Sequence, residues 1–237
     1  MGPTPNPPLP VRAWSAWRGR GARYAWHKAL RRSLGRWPGW KRQLLYADPR
    51  HYWTLRGGDE YFREQEGQDA RTERSRWLAE RVARYRPDSI LEVGCGYGKQ
   101  LRAIRGHLDV PMIGVDFSPS QLGKAAGYLE GLERIGLVLA SGARLPFADK
   151  SFDLVLTSAV ILHNPPPVAE QMRLEVIRVS RRFAAHNEDT DVSYNRFGYD
   201  TASWYRAAGL PLAETGRIPV GPDASHSQFC VAGPWRR

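Results

Sequence analysis

Cysteine is scarce in this 237-residue chain. Cys95 and Cys230 alone make neither a disulfide framework nor a cysteine metal cluster, so no metal is expected. No stretch approaches the roughly 18 consecutive apolar residues of a membrane span. The first residues lack the apolar core of a secretory signal. They also miss the myristoylation pattern, with Asn6 where Ser or Thr is required. A cytoplasmic protein is expected, with contact at a membrane surface as the variant. Acid is missing too, but only locally. Residues 1–47 hold ten basic side chains and no Asp or Glu, so they carry nearly all of the formal net charge of +11.

What is present divides into three parts: a basic leader (1–47), a helical cap (48–87) and a domain of alternating elements (88–237). The leader opens with five prolines in eleven residues and then interleaves Arg and Lys with Trp14, Trp17, Trp26, Trp37 and Trp40. Trp26, Leu30, Leu34 and Trp37 share one helical face. In the cap, the acid-before-base pairs Asp59/Arg63 and Glu80/Arg84 predict one helical stretch from about Asp59 to Arg86, stopped by Pro87.

From Asp88 onward, short apolar runs alternate with helical segments. Strands are expected at Ser89–Val93, Met112–Val115, Gly136–Ala140, Asp153–Thr157 and Arg182–Ala185. Helices are expected near Lys99–Arg105, Ser118–Leu132, Val168–Val179 and Thr201–Ala208. Unalternating apolar strands between helices imply an α/β, Rossmann-like, mostly parallel sheet covered on both faces. Leu212–Pro219 and Gln228–Ala232 have no helix between them, which predicts an antiparallel closing hairpin.

The strongest local signal is Ile90-Leu91-Glu92-Val93-Gly94-Cys95-Gly96-Tyr97-Gly98. A buried strand runs into three glycines at alternate positions and then into a helix, a shape in which backbone can approach a ligand closely. A dinucleotide fingerprint needs Gly or Ala at its sixth position, where this chain has Lys99, and that counts against a nicotinamide oxidoreductase. Asp116 follows Gly98 by eighteen residues at the end of the next strand, where a carboxylate can accept both hydroxyls of a ribose. Phe117 is placed to flank a base.

These residues, with Gly114-Val115-Asp116-Phe117-Ser118 and the run Leu145–Asp153, resemble class I S-adenosylmethionine-dependent methyltransferases of the kind acting mostly on small molecules. The resemblance covers about Asp88 to Pro234. It implies a seven-stranded sheet with an antiparallel last strand, and S-adenosyl-L-methionine as cofactor. It further implies Gly94, Cys95, Gly96 and Gly98 around the methionine part, Glu92 on the methionine amino group or the loop, and Asp116 on the ribose. Relatives often carry an Asp after the third strand that bonds the adenine amine. This chain has Ser141, with Gly142 and Ala143, so that contact is weaker or made by backbone. Ser158, after the fourth strand, completes the expected cofactor side.

An oxygen nucleophile needs a proton acceptor. His163, in the segment leaving the fourth strand, is the base candidate, set against a histidine that only bonds backbone or packs a lid. Asn164-Pro165-Pro166 resembles the N-P-P-aromatic motif of amino methyltransferases, but Pro167 stands in place of the aromatic and the position is seven residues past Thr157; it reads as a helix entry. His186, Asn187, Glu188 and Asp189 read as a solvated loop. His51, Tyr52, Trp53, Arg56, Gly57, Gly58 and Tyr61 are expected near the cofactor or packed in the cap.

Methyl transfer to O or N of a small acceptor is the resulting expectation, a sugar or natural-product intermediate being the named class. The alternatives are a cofactor-binding adaptor without turnover, and an enzyme held at a membrane surface or on RNA by its leader. For the leader itself, three readings stand: an anionic membrane surface contacted by residues 12–42, nucleic acid, or a helix docked on the enzyme with solvated arginines. The balanced charge of the body argues against a nucleic-acid substrate.

Overall fold

In the computed structural model, residues 22, 24–30, 38–66, 69–220 and 225–235 are described. Residues 24–30 are helical, followed by α1 (Pro38–Leu45), α2 (Pro49–Arg56), α3 (Asp59–Gln65) and α4 (Asp69–Arg84). The domain then runs β1 (Ile90–Val93), α5 (Lys99–Arg105), β2 (Met112–Asp116), α6 (Pro119–Tyr128), β3 (Ile135–Leu139) and β4 (Phe152–Ser158). A 3-10 turn (Ile161–His163) leads to α7 (Pro166–Val179), β5 (Ser180–Asp189), α8 (Thr201–Ala207), β6 (Leu212–Gly216) and β7 (Ser227–Ala232).

The seven strands order as β3-β2-β1-β4-β5-β7-β6, with β7 antiparallel to both of its neighbours. Every residue of β1 is buried because helices cover both faces of the sheet, which is why the strand is apolar without alternation. Leu78 and Val82 of α4, Leu101 and Ile104 of α5 and Ala125 of α6 pack one face. Met172, Val176 and Val179 of α7 and Tyr205 of α8 pack the other.

Helix starts follow ordinary capping chemistry. Asp48 accepts the Arg50 and His51 N–H groups at 2.9 and 3.1 Å with Pro49 behind it, Ser118 precedes Pro119, and Asp200 accepts from Ser203. The expected single helix from Asp59 to Arg86 is two helices. Glu66 leaves the helical region (φ −74°, ψ 148°) and ends α3, and Gly67, next in sequence, carries the helix penalty of about 1 kcal/mol. β5 is also much longer than expected, while β6 stops at Gly216 instead of Pro219.

In the leader, Tyr24 is buried and Trp26 is 68% exposed, so Trp26 does not dock on the enzyme as the helical-face pattern suggested. Leu34 and Trp37 lie outside the described residues. No described helix is long and apolar enough to cross a membrane.

Candidate active site

The parallel strands end on one edge of the sheet, and a cavity of about 250 Å³ opens there. Such carboxyl-end crevices are where open α/β sheets bind ligands. Gly94 (φ +72°) and Gly96 (φ +55°) turn the backbone along its floor. A Cβ on Gly94 would stand 2.5 Å from the Val160 side chain, whereas one on Gly96 would have only Gln121 within 4 Å, at 3.6 Å. Gly94 is thus glycine for packing, and Gly96 leaves space above the backbone.

Asp116 holds this loop. Its Oδ2 accepts the Gly96 N–H and its Oδ1 the Ser118 N–H, each at 2.9 Å. Burial pushes its pKa up, against the lowering from those backbone donors. Glu92 lies beneath, wholly buried, and burial drives its pKa well above the usual carboxylate range despite a Leu101 backbone hydrogen bond. Its Oε2 has no hydrogen-bond partner among the described residues. A buried carboxylate oxygen without a donor is costly unless a ligand supplies one, and Glu92 lines the same cavity. These acceptors therefore fit an amine-bearing, ribose-bearing cofactor.

Of the positions expected to face the cofactor, Glu92, Gly94, Cys95, Gly96, Asp116, Phe117, Ser141, Gly142 and Ser158 line the cavity. Gly98 and Ala143 do not. Gly98 (φ +88°) starts α5, and a Cβ there would meet Leu129 at 2.7 Å. Ala143 instead donates its N–H to the Ser141 hydroxyl at 3.3 Å. From the cap, Trp53 and Tyr61 reach the cavity, while His51 is exposed and Tyr52 is buried beside Tyr46.

His163 lines the cavity too. Its Nδ1 donates to the Asn195 carbonyl at 2.6 Å, which leaves Nε2 with the lone pair. Among the described residues Nε2 has no hydrogen-bond partner. Burial lowers the imidazole to about 4, so it is neutral near pH 7. Tyr46 Oη donates to the His163 carbonyl at 2.6 Å and accepts the Trp53 indole N–H at 2.9 Å, fixing both residues against each other.

His186, Asn187, Glu188 and Asp189 are not a solvated loop. They are the buried end of β5, paired with β4 so that Thr157 neighbours His186 and Ser158 neighbours Asn187. Each has a partner that makes its burial tolerable. Thr157 donates to Glu188 at 2.8 Å and is bonded to His186 Nδ1 at 2.8 Å, while His186 Nε2 pairs with Tyr205. Glu188 also accepts the N–H groups of Val160, Ile161 and Leu162, holding the turn that leads to His163. Asn187 donates to Ser158, and Arg74 bridges Asn187 and Asp189 at 2.8 and 2.7 Å.

Arg74 and Arg196 reach the cavity without having been expected there. Arg74 precedes Leu78 by one helical turn on the buried stripe of α4, and a charge on an apolar stripe is its signal. Arg196 carries no such signal; a loop places it 2.8 Å from Asp191. No group of metal-ligating side chains occurs among the described residues.

Residues 90–182 match a family profile described as a methyltransferase domain. Among curated proteins, an uncharacterized methyltransferase of Mycobacterium marinum is 38% identical over 105 residues, covering 44% of this chain and 40% of that one. An O-methyltransferase of Aspergillus nomiae is 36% identical over 96 residues, covering 39% and 43%. The chain thus spans about two fifths of the length of these relatives. Among solved structures, the 1,6-didemethyltoxoflavin-N1-methyltransferase of Burkholderia thailandensis, with bound 1,6-didemethyltoxoflavin and S-adenosylhomocysteine, has the same fold. Its TM-score is 0.59 at 17% identity, over 80% of this chain and 92% of that one.

Proposed function

We propose that this chain, whose residues 90–182 match the profile of a methyltransferase domain, is a class I S-adenosylmethionine-dependent enzyme that transfers a methyl group to oxygen or nitrogen of a small molecule. The observation that carries the reading is one cavity wall holding the Gly94–Gly96 turn, the Asp116 carboxylate and the unpartnered buried Oε2 of Glu92. S-adenosyl-L-methionine would supply an electrophilic methyl on a sulfonium. Glu92 and the glycine turn would hold its amino-acid end, and Asp116 its ribose, with Phe117, Ser141, Gly142 and Ser158 alongside.

The rest of the cavity belongs to the acceptor. Trp53, Val168 and His163 line it, and order and dryness are what in-line transfer most needs. His163 Nε2 is the group placed to take a proton from an acceptor hydroxyl. The Aspergillus relative's name, an O-methyltransferase, and the small acceptor bound by the Burkholderia enzyme support a small-molecule acceptor here. In this reading 48–87 is a cap over an 88–237 catalytic domain.

The test is thermal shift with S-adenosylmethionine, S-adenosylhomocysteine and NADH. Stabilisation by the first two alone is expected. Stabilisation by NADH alone overturns the reading. Binding of the first two without turnover on any acceptor would favour a cofactor-binding adaptor.

A second element concerns the leader. Trp40 and Leu44 stand one turn apart on α1, 62% and 56% exposed, in a chain whose first 47 residues carry ten bases and no acid. Exposed Trp and Leu beside basic residues suit an anionic membrane surface, and peripheral attachment there is part of the reading.

A further inference from the structure

We propose that the acceptor is a planar aromatic molecule whose reacting group is a ring hydroxyl directed at His163 Nε2, and not a sugar. The inference rests on the methyltransferase reading and names the class of its acceptor. Three observations carry it.

The first is the wall. Trp53 stands half-buried with its ring 4.7 Å from His163 and 5.6 Å from Tyr61, both in edge-to-face contact. Val160, Val168 and Met172 also border the cavity. The Trp53 Nε1–H donates to Tyr46 Oη, so the indole keeps its orientation. Fixed aromatic rings in a cavity also lined by aliphatic groups bind flat apolar bodies.

The second is the state of the polar groups. A sugar needs several directed donors and acceptors, since each hydroxyl buried without a partner costs binding energy. Here four of the polar side chains that line the cavity, Arg74, Asn164, Asn187 and Arg196, are already engaged. Arg74 serves Asn187 and Asp189, and Asn187 donates to Ser158. Arg196 serves Asp191, and Asn164 Nδ2 donates to the Val160 carbonyl. Both arginines are paired with aspartates, Arg74 with Asp189 and Arg196 with Asp191, so neither guanidinium is held ready for an ionic acceptor alone.

The third is His163. Its Nδ1 is engaged by Asn195, and Nε2 alone remains to meet an acceptor. One hydrogen-bonding atom set in an aromatic and aliphatic wall matches a flat body with one reacting hydroxyl. The lowered basicity of this buried imidazole fits the same class, because a weak base serves a phenolic or enolic proton better than that of an aliphatic alcohol. The ring oxygen gains a bond to the methyl carbon as that carbon's bond to sulfur breaks. The hydroxyl proton passes to Nε2 and then to solvent, leaving a methyl aryl ether and the thioether S-adenosylhomocysteine.

The experiment uses the full-length protein, with 2-naphthol and methyl glucoside as probes. Binding is measured by calorimetry with and without S-adenosylhomocysteine, and transfer by release of that product from S-adenosylmethionine. Naphthol should bind at least tenfold more tightly than the glucoside. Trp53→Ala should weaken naphthol at least tenfold while S-adenosylhomocysteine affinity stays unchanged, and Trp53→Phe should restore most of it. His163→Gln should keep naphthol affinity within about threefold and reduce transfer at least a hundredfold. Preference for the glucoside, or naphthol affinity indifferent to Trp53→Ala, overturns the proposal. Absence of S-adenosylhomocysteine binding overturns the methyltransferase reading instead, and naphthol binding without it still tests the wall.

Discussion

The Glu188 carboxylate accepts the Thr157 hydroxyl at 2.8 Å, joining the buried ends of β5 and β4. The same carboxylate receives three consecutive N–H groups, from Val160, Ile161 and Leu162. Glu188→Leu would strand these donors in the interior. It should destabilise the protein by about 3 kcal/mol in denaturant melts, with Glu188→Gln milder. An unchanged unfolding midpoint for Glu188→Leu would show that the carboxylate does not hold the turn.

Gly94 and Gly131 allow backbone strain to be separated from crowding. Both have positive φ, +72° and +79°, yet a Cβ at Gly94 would meet Val160 at 2.5 Å and one at Gly131 would meet nothing. Gly131→Ala should cost only the conformational strain, about 1 kcal/mol. Gly94→Ala should cost at least 2 kcal/mol more. Equal losses in thermal melts would place the cost of both in φ alone.

The sheet was legible from buried runs such as Ile90–Val93 and Asp153–Thr157, because a strand covered on both faces leaves no polar alternation. The cofactor side was legible because a turn that must pass close to a ligand is written in glycine, and Asp116 stands at a strand end. The second half of β5 was not legible. His186-Asn187-Glu188-Asp189 is polar throughout, and only its partners across β4 and α4 make it a buried strand end. Likewise, Arg74 and Arg196 joined the cavity unexpectedly while Gly98 and Ala143 did not, since a side chain's reach depends on how the cap, the loops and α5 pack. A resemblance resting on loop glycines carries no information about those contacts.

Two buried histidines give stability a pH slope of definite sign. Burial lowers His163 to about 4 and His186 to about 3 from the ordinary 6.5. Below pH 6.5 the unfolded chain binds protons that the folded chain refuses, so their contribution is lost as pH falls toward 4. Burial raises Glu92, Asp116 and Glu188 instead, and these act in the opposite sense. The clean observable is therefore the stability difference between wild type and His163→Gln. It should move against wild type by about 2 kcal/mol between pH 7 and pH 5. A constant difference would contradict a neutral, buried imidazole.

The leader makes a separate prediction. Full-length protein should sediment with vesicles containing anionic phosphatidylglycerol and much less with neutral phosphatidylcholine. Trp40→Ala/Leu44→Ala should reduce that binding at least fivefold while methyl transfer in solution continues. Sedimentation that ignores lipid charge and both substitutions would remove the membrane from the account.

The central claim is that the Gly94–Gly96 turn and Asp116 hold S-adenosylmethionine. Calorimetric titration of S-adenosylhomocysteine into wild type and Asp116→Ala tests it most directly. One molecule should bind per wild-type chain, and Asp116→Ala should weaken it at least tenfold through the lost charged hydrogen bonds. No binding to wild type, or equal binding to both proteins, would contradict it.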